Sequence, residues 1–394
     1  MKQLIRISFD TLVNSVFFIL FCIVLTVLVD DNILSIFTLT YPIQLLPSIL
    51  KTVFATGPNI LKEKHGRDDD VFSALTVGII ITVLIFFILL LNIDNYINFM
   101  NGNYIDKKEL VSFFIIEIFF QTILGYILTI FYYKSDNELA NKVSLSFNLI
   151  NLIVIILAAL IFDNNILIIL TTTILMSVYL IILLFKVYKK FIFKFNILEW
   201  IKYDLVSLVD DSLLLVGYLF SLSSAMIYGE QYSAALAFSS LITDIQWDIS
   251  YSISTVAKIN ISKKKFNYKE HLKNSYKLIA ILILSIFVMF IIAYPIYKPD
   301  LLITFSYLIF HIIDFIIYPV YRTKTCYLQL EYSIIKTNIK NLINKVIRVL
   351  LSLLVTPYAT VIAQLCSSLY QYFSMNILFL KHYKINNKGN VINR

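Results

Sequence analysis

The sequence predicts an all-α polytopic membrane protein. About twelve transmembrane helices are expected, in two six-helix bundles related by a pseudo-two-fold axis along the membrane normal. Three observations carry this reading. Of 394 residues, 59% are hydrophobic and 15% charged, with a mean hydropathy of +0.81, whereas a soluble domain carries about 25% charge. The apolar residues gather in runs close to the roughly 20 residues that cross a bilayer as a helix. The stretches between the runs alternate in charge. A soluble enzyme and a nucleic-acid binder are excluded, and the formal net charge of +8 is read as setting topology.

The first span, 7–29, follows Lys2 and Arg6. Its apolar run is too long for a signal-peptide core, and no small-residue cleavage site follows it, so an uncleaved span is expected. The tight turn Asp30-Asp31-Asn32 leads into 33–55, and a basic loop with Lys62, Lys64 and Arg67 precedes 72–92. The polar loop 93–109 then leads to 110–133. Spans 142–162 and 165–187 are joined at Asp163-Asn164. The connection 188–203 alternates basic and aromatic residues and is expected in the headgroup region. Spans 204–227 and 231–257 meet at Gly229-Glu230-Gln231, and Lys263-Lys264-Lys265 precedes 276–297. The last three spans are 300–321, 338–357 and 359–380.

Lys and Arg fall almost entirely on alternate connections, with Lys107, Lys108 and Lys298 as exceptions. Because cations accumulate on the cytoplasmic side, both termini are expected inside the cell, in an inner (plasma) membrane. The two halves repeat a tight outer turn, a span and a basic inner loop at similar spacing. Six spans return the chain to the same side, so the repeats are parallel. The expected organisation is an N-terminal bundle over 1–187, an interfacial linker over 188–203 and a C-terminal bundle over 204–394.

Three stretches carry a family resemblance. Leu39-Thr40-Tyr41-Pro42-Ile43, with the later Asn59-Ile60-Leu61-Lys62-Glu63-Lys64-His65-Gly66-Arg67, resembles the second helix and following basic loop of the multidrug and toxic compound extrusion (MATE) family, within the MOP flippase superfamily. Tyr228-Gly229-Glu230-Gln231 with Ser233-Ala234-Ala235 is similar to that family's eighth helix. Asp314 followed by Arg322 is similar to its tenth. The resemblance implies a secondary transporter that works by alternating access, exporting an organic cation or amphiphile in exchange for H+ or Na+. It also implies an ion-binding acid within the first helix. The middle of that helix reads Phe-Ile-Leu-Phe-Cys-Ile-Val-Leu, with Asp10 near one end and Asp30 and Asp31 beyond the other.

Ionisable side chains at membrane depth are costly, about 2.5–3.5 kcal/mol each on insertion scales, and those present usually face a cavity. His311 and Asp314 lie three residues apart on one helical face, a pairing that can take up and release a proton. Asp244 and Asp248 share a face with Trp247 beside them. Of the adjacent Asp210 and Asp211 at most one points into a cleft, and the resemblance implies an acid in this helix. Lys345 and Arg348 are candidate charge partners for these acids, or else reach toward the inner headgroups. Lys51 is read in the same way. Glu117 and Gln121, four residues apart, are expected to line a cleft in the first half or to bond helix to helix.

Cys22, Cys326 and Cys366 are isolated, which indicates neither a disulfide framework nor a metal site. No P-loop, GxGxxG, GxSxG or HExxH motif occurs. Uphill transport therefore draws on H+ or Na+, with no other cofactor, and enzymatic activity is not expected. Two other readings stand beside the first. One is a flippase for a lipid or lipid-linked oligosaccharide; the other is a non-transporting membrane component of a biosynthetic or export system.

Overall fold

The computed structural model describes residues 16–30, 33–133, 137–187, 192–202, 205–262 and 264–392. In chain order the first helices are α1 (Val16–Leu28), α2 (Ile33–Thr40), α3 (Leu46–Lys51), α4 (Gly57–His65), α5 (Asp68–Leu91), α6 (Ile93–Phe99), α7 (Lys108–Tyr133) and α8 (Asn137–Ile161). They continue as α9 (Asn165–Val187), α10 (Ile197–Lys202), α11 (Leu205–Ile227), α12 (Glu230–Ser262), α13 (Tyr268–Tyr297), α14 (Leu301–Glu331), α15 (Ile334–Ser352) and α16 (Ala359–Ile392). Among the described residues, eight helical runs are long and apolar enough to cross a membrane on their own. The runs α12, α15 and α16 occupy three further expected spans but carry more polar side chains. Asp10, Asp31 and the side chain of Asp248 lie outside the described residues.

The second span is one run, Ile33–Lys62, built from unlike pieces. A 3-10 turn (Tyr41–Leu45) follows α2, and a π turn (Thr52–Thr56) follows α3. Pro42, Pro47 and Pro58 each stand at the start of a new piece, as expected of a residue that cannot donate to the preceding turn. Pro58 has no N–H for the Phe54 carbonyl, and the Gly57 N–H reaches back to the Thr52 carbonyl in the longer π pattern. Gly66, at φ 66°, closes α4 in the left-handed conformation that glycine adopts without strain.

The chain forms two compact units, residues 16–234 and 235–394. The division differs from the expected one, because α11 packs with the first unit. Ser48 donates to Asp211 at 2.6 Å, Tyr41 meets Tyr218 edge to face, and Asn101 donates to Ser223 at 2.7 Å. Asp210 and Asp211 therefore belong to the 16–234 unit rather than to the bundle that holds Asp314. The loop between α6 and α7 is tied down by Asp30–Lys107 and Asp94–Lys108 ion pairs. Tyr104 donates to Ser233 at 2.6 Å. Burial, reinforced by the Glu230 carboxylate and opposed by the Ser233 bond, pushes the Tyr104 phenol up to about 12, so it stays a donor at neutral pH.

Residues 192–202 of the expected linker are described. Phe193, Phe195 and Leu198 are exposed. Trp200, however, is fully buried beside Phe54. The Lys194 backbone exchanges hydrogen bonds with Ser73, and Arg67 pairs with Glu199 at 2.8 Å. The docking needs a residue without a side chain at position 57, since a Cβ there would sit 2.2 Å from the Trp200 carbonyl oxygen. Gly57→Ala is expected to destabilise the 16–234 unit by about 1–3 kcal/mol through overpacking. The measurement is thermal unfolding of the purified protein in detergent, where an unchanged Tm would contradict the docked linker.

Candidate functional site

In the 235–394 unit, α14, α15 and α16 are amphipathic in reverse. On α14 the residues His311, Asp314, Phe315, Tyr318, Tyr321 and Thr325 recur at helical spacing and are all buried, while Leu302, Ile309, Ile313 and Ile316 are exposed. On α15 the exposed stripe is Ile335, Ile339, Leu342, Val346 and Leu350, and the opposite face presents Asn338, Asn341 and Arg348. On α16 the polar stripe is Gln364, Ser367, Ser368, Gln371 and Ser374. Apolar faces outward and polar faces inward suit helices whose exterior meets acyl chains and whose interior must satisfy polar groups by itself.

Hydrogen bonds stitch the stripes together. Gln364 Nε2 donates to Asp314 Oδ2 at 2.9 Å, and Arg348 donates to Gln364 Oε1 at 3.4 Å. One turn further, Tyr321 and Ser368 share a bond of 3.4 Å. Beyond it, Gln371 donates to Asn341 at 2.6 Å and to Thr325 at 3.4 Å. Tyr307 donates to the Pro357 carbonyl at 2.7 Å at the other end. The near-constant offset between α14 and α16 partners means that the two helices run parallel in register, which sets His311 level with Thr360.

Asp314 is 1% exposed, and its Oδ1 has no hydrogen-bond partner. Both ring nitrogens of His311, 6% exposed, are likewise unpartnered, as are Thr360 Oγ1 and Asn344 Oδ1. The hydrogen bond between His311 and Asp314 that their spacing allows is not formed; Asp314 turns to α16 instead. Charge from Arg348 and Arg322 reaches the Asp314 carboxylate, and Arg348 also acts on His311. Pro319 removes the usual donor to the Phe315 carbonyl, one residue past Asp314. Buried polar atoms are rarely left unpaired in a protein interior, and each one here can bind water, a proton or a ligand group.

Beside the carboxylate stands an aromatic wall. Trp247 of α12 stacks on Phe315 at 4.1 Å between ring centroids and meets Tyr318 edge to face at 5.4 Å. Arg322 lies 5.6 Å from the Tyr318 ring centroid. The arrangement joins a carboxylate, two guanidinium groups and flat apolar faces. Asp244 and Lys345 are half-buried on α12 and α15. Among the described residues, no cluster of acids, histidines and cysteines suited to a metal ion is present.

The other expected site residues separate. Glu117 is buried and accepts from Asn151 at 2.8 Å, a helix-to-helix bond of the kind expected as the alternative, while Gln121 is exposed. Lys51 is the last residue of α3 but lies inside the longer run Ile33–Lys62, at the junction with the π turn, its stem beside Gly125. Sequence reasoning passed over Gln364, Ser368, Gln371 and Asn151. Their signal is a polar residue recurring at helical period inside an apolar run. Gln364→Leu removes the link between Asp314 and Arg348 at nearly constant volume. It is expected to cost about 1–3 kcal/mol, the price of unpaired buried polar groups. The check is a Tm in detergent lowered well beyond that of Ser367→Ala, whose hydroxyl bonds only within its own helix.

No protein-family model and no curated protein matches the chain. Solved structures do. An inward-facing multidrug resistance MATE family transporter of the MOP superfamily superposes with a TM-score of 0.70 at 13% identity, over 94% of this chain and 96% of its own. The lipid II flippase MurJ, in an inward closed conformation, gives 0.65 at 18% identity, over 94% and 87%. A MOP superfamily transporter from Pyrococcus furiosus, described by the reversed polarity of its binding pocket, gives 0.60 at 11% identity, over 96% and 95%. Nearly the whole chain therefore has the all-α, multi-pass membrane fold of MATE transporters of the MOP superfamily, which the MurJ flippase also resembles.

Proposed function

We propose that the protein is a secondary active transporter of the inner membrane, both termini cytoplasmic, which exports an organic cation or amphiphile by alternating access in exchange for H+ or Na+. The observation that carries this reading is the Asp314 carboxylate, buried inside a membrane-length helix, held by Gln364 with Ser368 close by, and with its Oδ1 unpartnered. Structural glue would satisfy both oxygens. A carboxylate with one oxygen open and His311 unpaired one turn away is placed to exchange an ion. Gln364 carries any change at Asp314 to Arg348, and so to the packing of α15 on α16. Coupling follows if ion and substrate have different affinities in the two access states. Trp247, Phe315 and Tyr318 would take the apolar part of the substrate. Asp244, Asp248, Asp210 and Asp211 remain candidates for further cation contacts, Asp211 through its own unit.

A second reading, a lipid or lipid-linked oligosaccharide flippase, is favoured by one observation. Arg348 and Arg322 both act on the Asp314 carboxylate, so the site is not purely acidic and can meet an anionic headgroup. The likeness to MurJ is compatible with it.

Asp314→Asn keeps the size of the side chain and removes its proton and charge chemistry. In proteoliposomes with an imposed pH or Na+ gradient, we expect wild type to accumulate a lipophilic cation such as a quaternary ammonium dye. The variant should lose at least about fivefold of the gradient dependence, the lower end of ordinary coupling energies, while its Tm in detergent stays close to wild type. Unaltered gradient-driven accumulation in the variant would remove Asp314 from the coupling mechanism. Gradient-independent scrambling of a labelled lipid by wild type would favour the flippase reading.

A further inference from the structure

The 16–234 unit holds a buried acid that the mechanism above leaves unused. Glu117 lies about 14 Å from the start of α7, and Asn151 about 15 Å from the end of α8, at 1.5 Å per residue. Both are more than nine-tenths buried. Asn151 Nδ2 donates to Glu117 Oε2 at 2.8 Å. The two remaining atoms, Glu117 Oε1 and Asn151 Oδ1, are buried and have no partner among the described residues.

These two orphaned oxygens belong to the same pair of side chains. Both are acceptors, so neither can satisfy the other, and the amide has already spent a donor on Oε2. A plain helix staple would leave neither oxygen unfilled. One added proton resolves both orphans. With hydrogen on Oε1, the acid donates to Asn151 Oδ1 while the amide donates to Oε2, closing the ring by which carboxylic acids and amides pair. Without it, a negative charge and two unfilled acceptors sit in a dry helix contact, an arrangement strongly disfavoured in low dielectric.

We propose that Glu117 and Asn151 form a proton-binding site of the 16–234 unit, with the proton carried on Glu117 Oε1 and shared with Asn151 Oδ1. Among the described residues, no charged side chain pairs with Glu117. Of the elements packed on α7, α3 carries Lys51, which lies beside Gly125, two turns along from Glu117. The first turn of α5 carries Asp69 and Asp70, which lie against Lys194 and Arg67. Glu138 and Lys142 of α8 pair with each other, and Lys186 is in the last turn of α9. From α1 comes the buried thiol of Cys22, and beyond it Asp30, paired with Lys107. The α2, 3-10 and π segments carry no charge. Asn151 is the polar partner of Glu117, and no ion pair reaches it. This site does not depend on the transport reading, and its test does not use transport.

The experiment is infrared difference spectroscopy of the full chain in lipid, wild type against Glu117→Gln, in H2O and in D2O across the pH range in which both stay folded. The glutamine can pair with Asn151 as one amide with another. We expect wild type alone to show a protonated-carboxyl carbonyl band that shifts in D2O. In Asn151→Leu the same band should persist but move to the position of an acid without that partner. The leucine variant also carries the test if Glu117→Gln does not fold. Absence of any protonated-carboxyl band assignable to Glu117, at every pH, would overturn the proposal. So would a carboxylate band at this position that responds to Na+ or K+ and not to pH, since it would make the ligand a metal cation.

Discussion

A hydrogen bond between Gln364 and Asp314 organises the 235–394 unit. Water is not available among acyl chains to solvate a carboxylate, so a side chain of this kind must find its donors on neighbouring helices. Gln364 supplies one and passes its own carbonyl to Arg348. The bond fixes the register of α14 on α16, and the Tyr307, Tyr321 and Gln371 contacts follow from that register. The reversed amphipathicity of α15 then has a cause. Its polar face is held inward by the same ladder, and its isoleucines and leucines are left for lipid.

The 16–234 unit solves the same problem with backbone irregularity. Three prolines divide the run from Ile33 to Lys62 into unlike turns, and the freed groups are met by local π hydrogen bonding and by close packing. The chain is then pinned at both ends of this unit. At one end Trp200 lies against Gly57. At the other, Ser233 receives Tyr104 and shares a bond with Ser35. Both contacts need a small residue, a glycine or a serine, where two backbones come close.

Much of the fold was legible in the sequence. Hydropathy located the helical runs, because bilayer thickness acts on composition directly, but α13 begins at Tyr268, α14 runs on to Glu331 and α16 to Ile392, well past the apolar stretches that marked them. Asp314, Trp247 and Arg348 were also legible, since an ionisable or aromatic residue in an apolar run announces itself. Their partners were not. Gln364 and Asn151 are uncharged and easily passed over, and only the register of one helix on another shows that they complete a carboxylate. The association of α11 with the first unit was hidden for a related reason. It rests on Ser48–Asp211 and Tyr41–Tyr218, contacts between residues remote in the chain. The burial of Trp200 within a basic, aromatic linker depends on the absence of a side chain at Gly57, which composition does not reveal.

The placement of the two tryptophans has a practical consequence. Trp200 belongs to one compact unit and Trp247 to the other, and the sequence contains no third. The molecule therefore carries one tryptophan per unit. Converting either indole to phenylalanine leaves a single indole, excited selectively at wavelengths that tyrosine does not absorb, beside Phe54 in one case and stacked on Phe315 in the other. Its spectrum and quenching would then follow events in one unit at a time, without any attached dye.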